Sequence, residues 1–229
     1  MAILQELQTI RDFMRYAMSK FNAAQLHYGH GTDNLQDEAC YLIWEALHLP
    51  HEYHEGVLDA RLVMAERRCL LHLIQQRIST RLPSAYLVNT AWFAGLKFYV
   101  DQRVVIPRSP LAQLITAQLQ PWLQTEDVHY ILEIGTGSAC IAIALAMYLP
   151  HVQVHATDID DDAMAVARHN IALHNVSAQV SLYKADLFPE HVVLYDLIIT
   201  NPPYVTTAEM SMLPPEYLHE PSLGLRAGD

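Results

Sequence analysis

The sequence predicts an α/β protein, in which a small helical domain and a linking β-hairpin precede a doubly wound domain with a parallel sheet. Three observations support this fold class. Apolar residues recur at helical spacing through three consecutive segments before residue 80. From His129 onward, short apolar runs alternate with helical patterns, which is typical of parallel strands covered by helices. A glycine turn, 135–137, follows the first of these strands, as it does at ligand sites of doubly wound sheets.

The helical domain is expected to span residues 1–82. Its apolar spacing predicts three helices, at Ile3–Phe21, Leu35–His48 and Val57–Ser79. The loop before the second helix ends in residues that favour helix N-caps, and Pro50 stops that helix. Three consecutive helices with short connections are typical of a small helical domain.

A β-hairpin linker is expected at residues 83–108. Ala91–Val100 is rich in aromatic residues and predicts one strand, Asp101–Gln102 the turn, and Arg103–Ile106 the returning strand. A Ser-Pro pair then starts a helix, Ser109–Leu123, with serine as the N-cap and proline at the first helical position.

The third domain, residues 109–229, contains the alternating pattern. It predicts strands at Tyr130–Ile134, Val152–Thr157, Gln179–Tyr183 and Tyr195–Thr200, and helices at Ser138–Leu149 and Asp161–His174. A doubly wound sheet usually has more than four strands. We therefore expect this domain to be truncated, with its C-terminal strands missing after Asp229.

Composition narrows the range of functions. The 229 residues carry a net charge of −11 and only 14 Lys and Arg, which argues against duplex nucleic acid as the main partner. This acidity either steers a basic partner or only keeps the protein soluble. Cys40, Cys69 and Cys140 include no CxxC pair, which is typical of a reduced cytosolic protein. We also predict no signal peptide and no membrane-spanning segment, and hence a cytoplasmic location.

Three polar elements follow successive strands of the predicted sheet. Glu133 and the glycine turn follow the first strand, Asp158 ends the second, and Asp186-Leu187 follows the third. Glycines let a ligand approach the backbone, and an acid about twenty residues further on is placed to bind ribose hydroxyls. Asp186 could meet an adenine amino group with Leu187 against the ring, or could be a loop cap. The run Asp160–Asp162 is better explained as helix capping.

Asn201-Pro202-Pro203-Tyr204 follows the fourth strand. The two prolines fix the backbone and remove two donors, so that nearby carbonyls can accept hydrogen bonds from a ligand. The Asn201 side-chain oxygen adds another acceptor. Together, Asn201 and the Pro202 carbonyl could hold the two N–H groups of a planar amine or amide, with Tyr204 packed against it.

The glycine turn and its acids would suit either NAD or S-adenosylmethionine. Hydride transfer has no need of an Asn-Pro-Pro-Tyr corner, whereas methyl transfer to nitrogen does. This corner therefore favours a methyltransferase that uses S-adenosylmethionine.

With these features, the chain resembles the HemK/PrmB family of protein-glutamine N5-methyltransferases over essentially its whole length. Beside the Asn-Pro-Pro-Tyr corner, the similar segments are GHGTDN at 29–34, DEA at 37–39, VIPRSPLA at 105–112 and EPSLGL at 220–225. The first three are most like the PrmB branch. The resemblance implies a class I, Rossmann-like methyltransferase domain that modifies a glutamine of ribosomal protein L three, a basic protein of the large subunit.

The family's functional residues carry over by position. The cofactor-binding residues would be Glu133, Gly135, Thr136, Gly137, Ala139, Asp158, Asp186, Leu187 and Asn201. The substrate glutamine would be held by Asn201, Pro202, Pro203 and Tyr204, of which Asn201, Pro202 and Tyr204 would be catalytic. Ala139 stands where most members have a third glycine, and its methyl group could weaken cofactor binding.

Other interpretations are compatible with parts of the sequence. An amino methyltransferase of DNA adenine or cytosine can use the same corner, and a truncated chain could bind the ribosomal partner without catalysis. His48, His51 and His54 have a suggestive spacing, but Pro50 interrupts them and no further ligands complete a set, so no metal site is predicted. The role of Arg108 is open between pairing with an acid near the site and fixing the linker.

Overall fold

A computed structural model describes residues 2–50, 55–190 and 193–228. The chain forms two compact units: a helical unit made of Met1–Thr90 and Pro214–His219, and a second unit made of Ala91–Leu213 and Glu220–Asp229. This division differs from the expected one at 1–82, 83–108 and 109–229. The hairpin belongs to the second unit, and six residues after the Asn-Pro-Pro-Tyr corner belong to the helical one.

The helical unit consists of short and medium helices. They are α1 (Ala2–Glu6), α2 (Ile10–Ala23), α3 (Leu35–Ala46), α4 (Met64–Thr80) and α5 (Ser84–Leu87), with 3-10 turns at Glu55–Asp59 and Pro215–His219. The single first helix expected at 3–21 is wrong, because Thr9 starts a new helix. The Thr9 side chain accepts a hydrogen bond from Asp12 N, and the Asp12 carboxylate accepts one from Thr9 N. Periodicity alone did not show this capping box.

The core of the helical unit is formed by fully buried side chains from α2, α3 and α4, among them Phe13, Leu42 and Leu70. Beside it lies a buried ion pair: Arg77 Nε donates to Glu38 Oε1 at 2.7 Å, and both side chains are at most 4% exposed.

The segment Pro214–His219 adds a second buried acid to this unit. Glu216 Oε1 accepts hydrogen bonds from His27 N at 3.0 Å and from Arg81 at 2.8 Å, and Arg77 Nη1 lies 3.7 Å away. Neighbouring Tyr217 packs its ring against His30, with centroids 4.2 Å apart. The helical unit is therefore stabilised by a buried charge cluster as well as by apolar packing.

The second unit contains the hairpin and the parallel sheet. Its elements are β1 (Ala91–Phe93), β2 (Leu96–Phe98), α6 (Leu111–Thr116), β3 (Tyr130–Ile134), α7 (Cys140–Tyr148), β4 (Gln153–Asp158), α8 (Asp161–Leu173), β5 (Val180–Lys184), β6 (Leu197–Thr200), β7 (Val205–Thr206), α9 (Thr207–Met210) and β8 (Arg226–Gly228), with 3-10 turns at Thr125–Asp127 and Ser222–Gly224.

The main sheet is parallel, with the strand order β5-β4-β3-β6, and it confirms the predicted Rossmann-like α/β class. Register places Ile131, Val154, Val180 and Leu197 on one face, where α7 and α8 pack to form the core. Because parallel strands end at a common edge, everything that follows β3, β4, β5 and β6 meets there.

The hairpin has its turn earlier than predicted. β1 and β2 pair through Ala94–Gly95, both with positive φ (50° and 75°). A turn does occur at Asp101–Gln102, where the Asp101 carbonyl accepts a hydrogen bond from Val104 N, but it does not join two strands, because Arg103–Ile106 does not form one. A two-residue loop with positive φ at both positions matches the twist of a hairpin. The Asp101 side chain also accepts a hydrogen bond from Arg103 N.

The helix expected at Ser109–Leu123 is also shorter, ending at Thr116. Gln118 and Leu119 have left-handed φ, and Leu119 N donates to Leu114 O. This reversal buries Leu119, which is 1% exposed. Pro110 rather than Ser109 occupies the N-cap position. Core burial therefore overrode the helical propensity of this segment.

No helix among the described residues is long and apolar enough to cross a membrane. Within that part of the chain, no group of three or more His, Cys, Asp or Glu is arranged to hold a metal ion. Of the three spaced histidines, His51 and His54 lie outside the described residues.

Candidate active site

A cavity of about 470 Å³ lies in the second unit at the carboxyl edge of the parallel sheet. Its size is within the usual range for small-molecule sites. Four segments that follow successive strands line it: Glu133–Ser138, Asp158–Asp160, Ala185–Leu187 and Thr200–Val205. The structure thus brings together the motifs that the sequence analysis placed after separate strands.

The glycine turn is anchored to the neighbouring strand. Gly135 N and Thr136 N both donate to the Thr157 carbonyl at 2.9 Å. Gly135 and Gly137 have φ of +70° and +55°, and a Cβ atom on either would meet nothing within 4 Å. The two glycines therefore serve a backbone conformation with φ > 0 and leave open space above the turn, where a ligand can approach.

Glu133 supports this turn from beneath. Its Oε2 accepts hydrogen bonds from Thr136 Oγ1 at 2.5 Å and from Ala142 N at 2.9 Å, and the residue is 1% exposed. Burial raises the pKa of Glu133 to about 8, against the opposing effect of these two hydrogen bonds. Glu133 borders the cavity, but its carboxyl group is engaged in holding the turn and the start of α7 together.

Asp158 closes the turn from the β4 side. Its Oδ2 accepts a hydrogen bond from Gly137 N at 2.8 Å, and its Oδ1 accepts one from Asp160 N at 3.0 Å. A carboxylate has about four acceptor positions, so two remain for a ligand. Asp160 is the N-cap of α8, where it accepts from Asp162 N, which confirms the capping interpretation for that residue.

Asp186 and Leu187 form an exposed part of the rim. Leu187 has φ +73°, and Thr157 Oγ1 donates to its carbonyl at 2.8 Å. Leu187 is 54% exposed and Ile159, which also lines the cavity, is 52% exposed, so the two add apolar surface to it. Two apolar side chains beside an acid suit a planar heterocycle with an amino group.

The Asn201–Tyr204 corner lies at the end of β6, with all four residues exposed and lining the cavity. Thr200 Oγ1 donates to the Ile134 carbonyl at 2.9 Å, which fixes the strand end beside the glycine turn. Within the described part of the chain, the Asn201 side chain and the Pro202 carbonyl accept no hydrogen bond. Their oxygens are available to a substrate.

Ala139 does not line the cavity. It is fully buried in the core and takes a left-handed conformation, with φ 61°, at the N-cap of α7. Its methyl group therefore faces protein rather than the open space above the turn. The placement of Ala139 among the cofactor-binding residues does not agree with this position.

Two further walls of the cavity were missing from the predicted site. Residues Arg103–Ser109 form one, and Pro221 with Leu223–Leu225 forms the other. They are joined by an ion pair between Arg108 and Glu220. The sequence analysis placed neither segment in the site, although it left open that Arg108 pairs with an acid nearby, and the ion pair with Glu220 agrees with that alternative. Their pairing could not be found from spacing, because 112 residues separate the two charges.

A family model described as the methyltransferase small domain matches residues 114–216. Two similar relatives, from Xanthomonas campestris pv. campestris and Bordetella pertussis, are each named ribosomal protein uL3 glutamine methyltransferase. The first is 51% identical over 100% of this chain and 74% of its own length, and the second is 46% identical over 98% and 76%. The chain thus spans about three quarters of the length of these relatives.

The solved structures are less similar. The hMettl16 catalytic domain in complex with MAT2A 3'UTR hairpin 6 has a TM-score of 0.44 and 20% identity, covering 71% of this chain and 57% of that one. The N-terminal domain of human METTL16 in complex with SAH has a TM-score of 0.36 and 23% identity, covering 62% and 54%. The family assignment therefore rests on the sequence relatives.

Proposed function

The chain belongs to the ribosomal protein uL3 glutamine methyltransferases, and we propose that it uses the cavity of the second unit to methylate the side-chain nitrogen of a glutamine in uL3. One observation carries the assignment of the site. The glycine turn after β3 and the Asn201–Tyr204 corner after β6, which a methyl donor and an amide acceptor would need respectively, line one cavity.

We propose S-adenosylmethionine as the methyl donor. The open space above Gly135 and Gly137 fits the methionine part of this cofactor. Asp158 keeps acceptor positions that would take hydrogen bonds from the ribose hydroxyls. Asp186 and Leu187, which line the same cavity, would flank the adenine. When bound, the cofactor supplies a methyl group on a positively charged sulfur.

The corner prepares the substrate amide for attack. An amide nitrogen is a weak nucleophile because its lone pair is delocalised into the carbonyl. The Asn201 side-chain oxygen and the Pro202 carbonyl accept hydrogen bonds from the two N–H groups of the amide. These bonds aim the nitrogen at the methyl group and stabilise the positive charge that develops on the nitrogen. Tyr204 packs against the amide plane. The bound cofactor would supply its methyl group to this nitrogen, the sulfur would keep the electron pair of the broken sulfur–carbon bond, and the surplus proton on nitrogen would pass to water.

The charge distribution supports a basic protein as substrate. The second unit carries fourteen acidic and six basic residues, whereas the helical unit carries eleven and eight. An acidic surface around the site attracts a cationic segment over about the Debye length, roughly 8 Å at physiological salt. We place this reaction in the cytoplasm, where a ribosomal protein is made.

The test is transfer of a tritiated methyl group from S-adenosylmethionine to purified uL3, with duplex DNA as the competing acceptor. We expect label in uL3, and label confined to DNA would contradict the proposal. Asn201→Ala is expected to lower the transfer rate by about 10²-fold or more, while the cofactor Kd stays within about tenfold.

Asn22→Ala, the same substitution on the exposed surface of α2, serves as the control and should keep full activity. A comparable loss in both variants would show that Asn201 has no specific role. A large rise in cofactor Kd for Asn201→Ala alone would place this residue chiefly in the cofactor site.

A further inference from the structure

The two walls that complete the cavity are joined by a single buried carboxylate. Glu220, whose side chain is fully buried, accepts hydrogen bonds from Arg108 Nη1 and Nη2, each at 2.6 Å. The same carboxylate accepts a third from Ile106 N at 3.0 Å. A fork-to-fork pair of this kind fixes direction as well as distance. Glu220 therefore sets where the wall that begins at Pro221 lies relative to residues 104–108.

A second contact holds the two walls together further along. A Cβ atom on Gly224 would lie only 2.6 Å from Val105 Cγ2, so the backbone of this turn packs directly on the Val105 side chain. The two walls thus meet at an ion pair and, four residues later, at a close backbone approach. Neither contact leaves room for the turn to slide.

The wall 220–225 is connected to the Asn201–Tyr204 corner by a backbone hydrogen bond and a short strand pair. Val205 N donates to the Leu225 carbonyl at 2.9 Å, and β7 then pairs with β8. Val205 directly follows Tyr204, whose side chain is 72% exposed and has little packing of its own. The position of Tyr204 therefore depends on where Leu225 is held.

We propose that Arg108 and Glu220 are positioning residues for methyl transfer: they fix the wall 220–225, and through Leu225 and Val205 they hold Tyr204 in place for the substrate amide. This inference rests on the proposed function of the Asn201–Tyr204 corner. It assigns Arg108 to the architecture of the substrate site and to neither the cofactor nor the linker.

Burial distinguishes this pair from surface ion pairs of the same unit. Arg108 is 22% exposed and Glu220 is 0% exposed, whereas Lys184 and Asp161 are 55% and 73% exposed. Two strong hydrogen bonds direct the guanidinium toward Glu220. If Arg108 instead bound the substrate directly, through donors other than the two that Glu220 accepts, its loss would lower activity whereas neutralising Glu220 would not.

The first experiment compares Arg108→Met, Glu220→Gln and the double variant, with Lys184→Met as the matched control. We expect kcat for uL3 methylation to fall about 10-fold to 100-fold in each single variant. The double variant should lose no more than about threefold beyond either single variant, because both remove the same contact. The cofactor Kd should stay within about threefold. Additive losses, or a loss for Arg108→Met with none for Glu220→Gln, would overturn the proposal.

The second experiment tests the close contact between the Gly224 backbone and the Val105 side chain, and it changes no charged residue. Gly224→Ala should lower kcat, because its methyl group would collide with Val105 Cγ2. Val105→Ala/Gly224→Ala should recover most of the activity, since the first substitution removes the colliding atom. If Val105→Ala fails to rescue, the contact does not position the wall.

A readout without activity separates this proposal from the proposed function. Hydrogen exchange in peptides that contain Val205 and Leu225 should rise in Arg108→Met and Glu220→Gln but not in Lys184→Met. Unchanged exchange overturns the positioning role even if uL3 is a substrate. Raised exchange in an enzyme that does not methylate uL3 would contradict the function and keep the structural link.

Discussion

Glu133 in the second unit and Glu216 in the helical unit are both buried, at 1% and 0% exposure, yet their pKa values shift in opposite directions. Burial raises the pKa of Glu133 to about 8, because the hydrogen bonds from Thr136 and Ala142 lower it by less and the negative charge of Asp158 raises it further. Burial also raises the pKa of Glu216, but the hydrogen bonds from His27 N and Arg81, together with nearby Arg77, lower it by more.

The difference shows that burial alone does not set the charge of a carboxyl group. Glu216 is held as an anion by two arginines, so it contributes to the stability of the helical unit. Burial under the glycine turn disfavours the anion of Glu133, and the two hydrogen bonds that it accepts offset this only in part. Three substitutions test this contrast, and a fourth, at Ala139, tests the packing beside the glycine turn; their expected effects decrease in that order.

Arg77→Met removes the cation shared by Glu38 and Glu216 and should have the largest effect. It leaves two buried carboxylates without part of their compensation, so we expect the free energy of unfolding to fall by about 3–5 kcal/mol. Urea denaturation measures this loss. Arg11→Met, which breaks an exposed pair with Asp59, should cause no measurable change, and equal losses in both would contradict the contrast.

Glu133→Gln should remove a pH dependence from the second unit. The folded pKa of Glu133, about 8, lies above the ordinary value of 4.5 for a glutamic acid, so the unfolded chain binds fewer protons between these values. Wild-type stability therefore falls as pH rises through this range, by roughly 3 kcal/mol between pH 6 and pH 9. Denaturation at pH 6 and pH 9 should show this fall in the wild type and in exposed Glu126→Gln, but a smaller one in Glu133→Gln.

Glu216→Gln keeps the shape of the side chain and removes its charge. We expect a loss of about 2 kcal/mol at pH 7, because hydrogen bonds to a charged group are stronger than neutral ones. The lowered pKa of Glu216 contributes stability above the ordinary glutamic acid pKa of 4.5, and this contribution is lost as pH falls. The gap between wild type and variant should therefore narrow below about pH 4.5, and a gap that widens there would show that the arginines do not hold the anion.

Ala139→Gly should have the smallest effect. Glycine relieves a left-handed conformation by about 1 kcal/mol, whereas the loss of a buried methyl group costs about 0.8 kcal/mol. The free energy of unfolding should change by less than about 1 kcal/mol. Because the methyl group does not face the cavity, calorimetry with S-adenosylmethionine should give a Kd within about twofold of wild type. A large gain in affinity would restore Ala139 to the cofactor site.

The sequence predicted the elements that have a strong period or a strong chemical signal. The strands β3, β4, β5 and β6 lie within two residues of their expected bounds, since buried parallel strands are short apolar runs. The glycine turn, Asp158 and the Asn201–Tyr204 corner lie together at the edge of the sheet, as predicted, because parallel strands end on the same side.

The predicted helix and hairpin boundaries were wrong where a local interaction or core packing overrode the hydrophobic periodicity. Thr9 divided the first helix by capping a new one, Ala94–Gly95 turned the hairpin early, and Leu119 ended α6 by turning into the core. Each depends on a side-chain contact or a backbone angle that a hydrophobic pattern does not contain.

By itself, the sequence determined the order of strands and helices, the chemistry at the ends of β3, β4, β5 and β6, and the family of the protein. These follow from residue type and from neighbours along the chain. Only the tertiary structure decided that Glu216 meets Arg81, that Glu220 meets Arg108, and that Glu133 lies buried beneath the glycine turn. The reason is physical: the charge and role of a carboxylate depend on its solvation and on cations brought from more than a hundred residues away, and neither is encoded in local spacing.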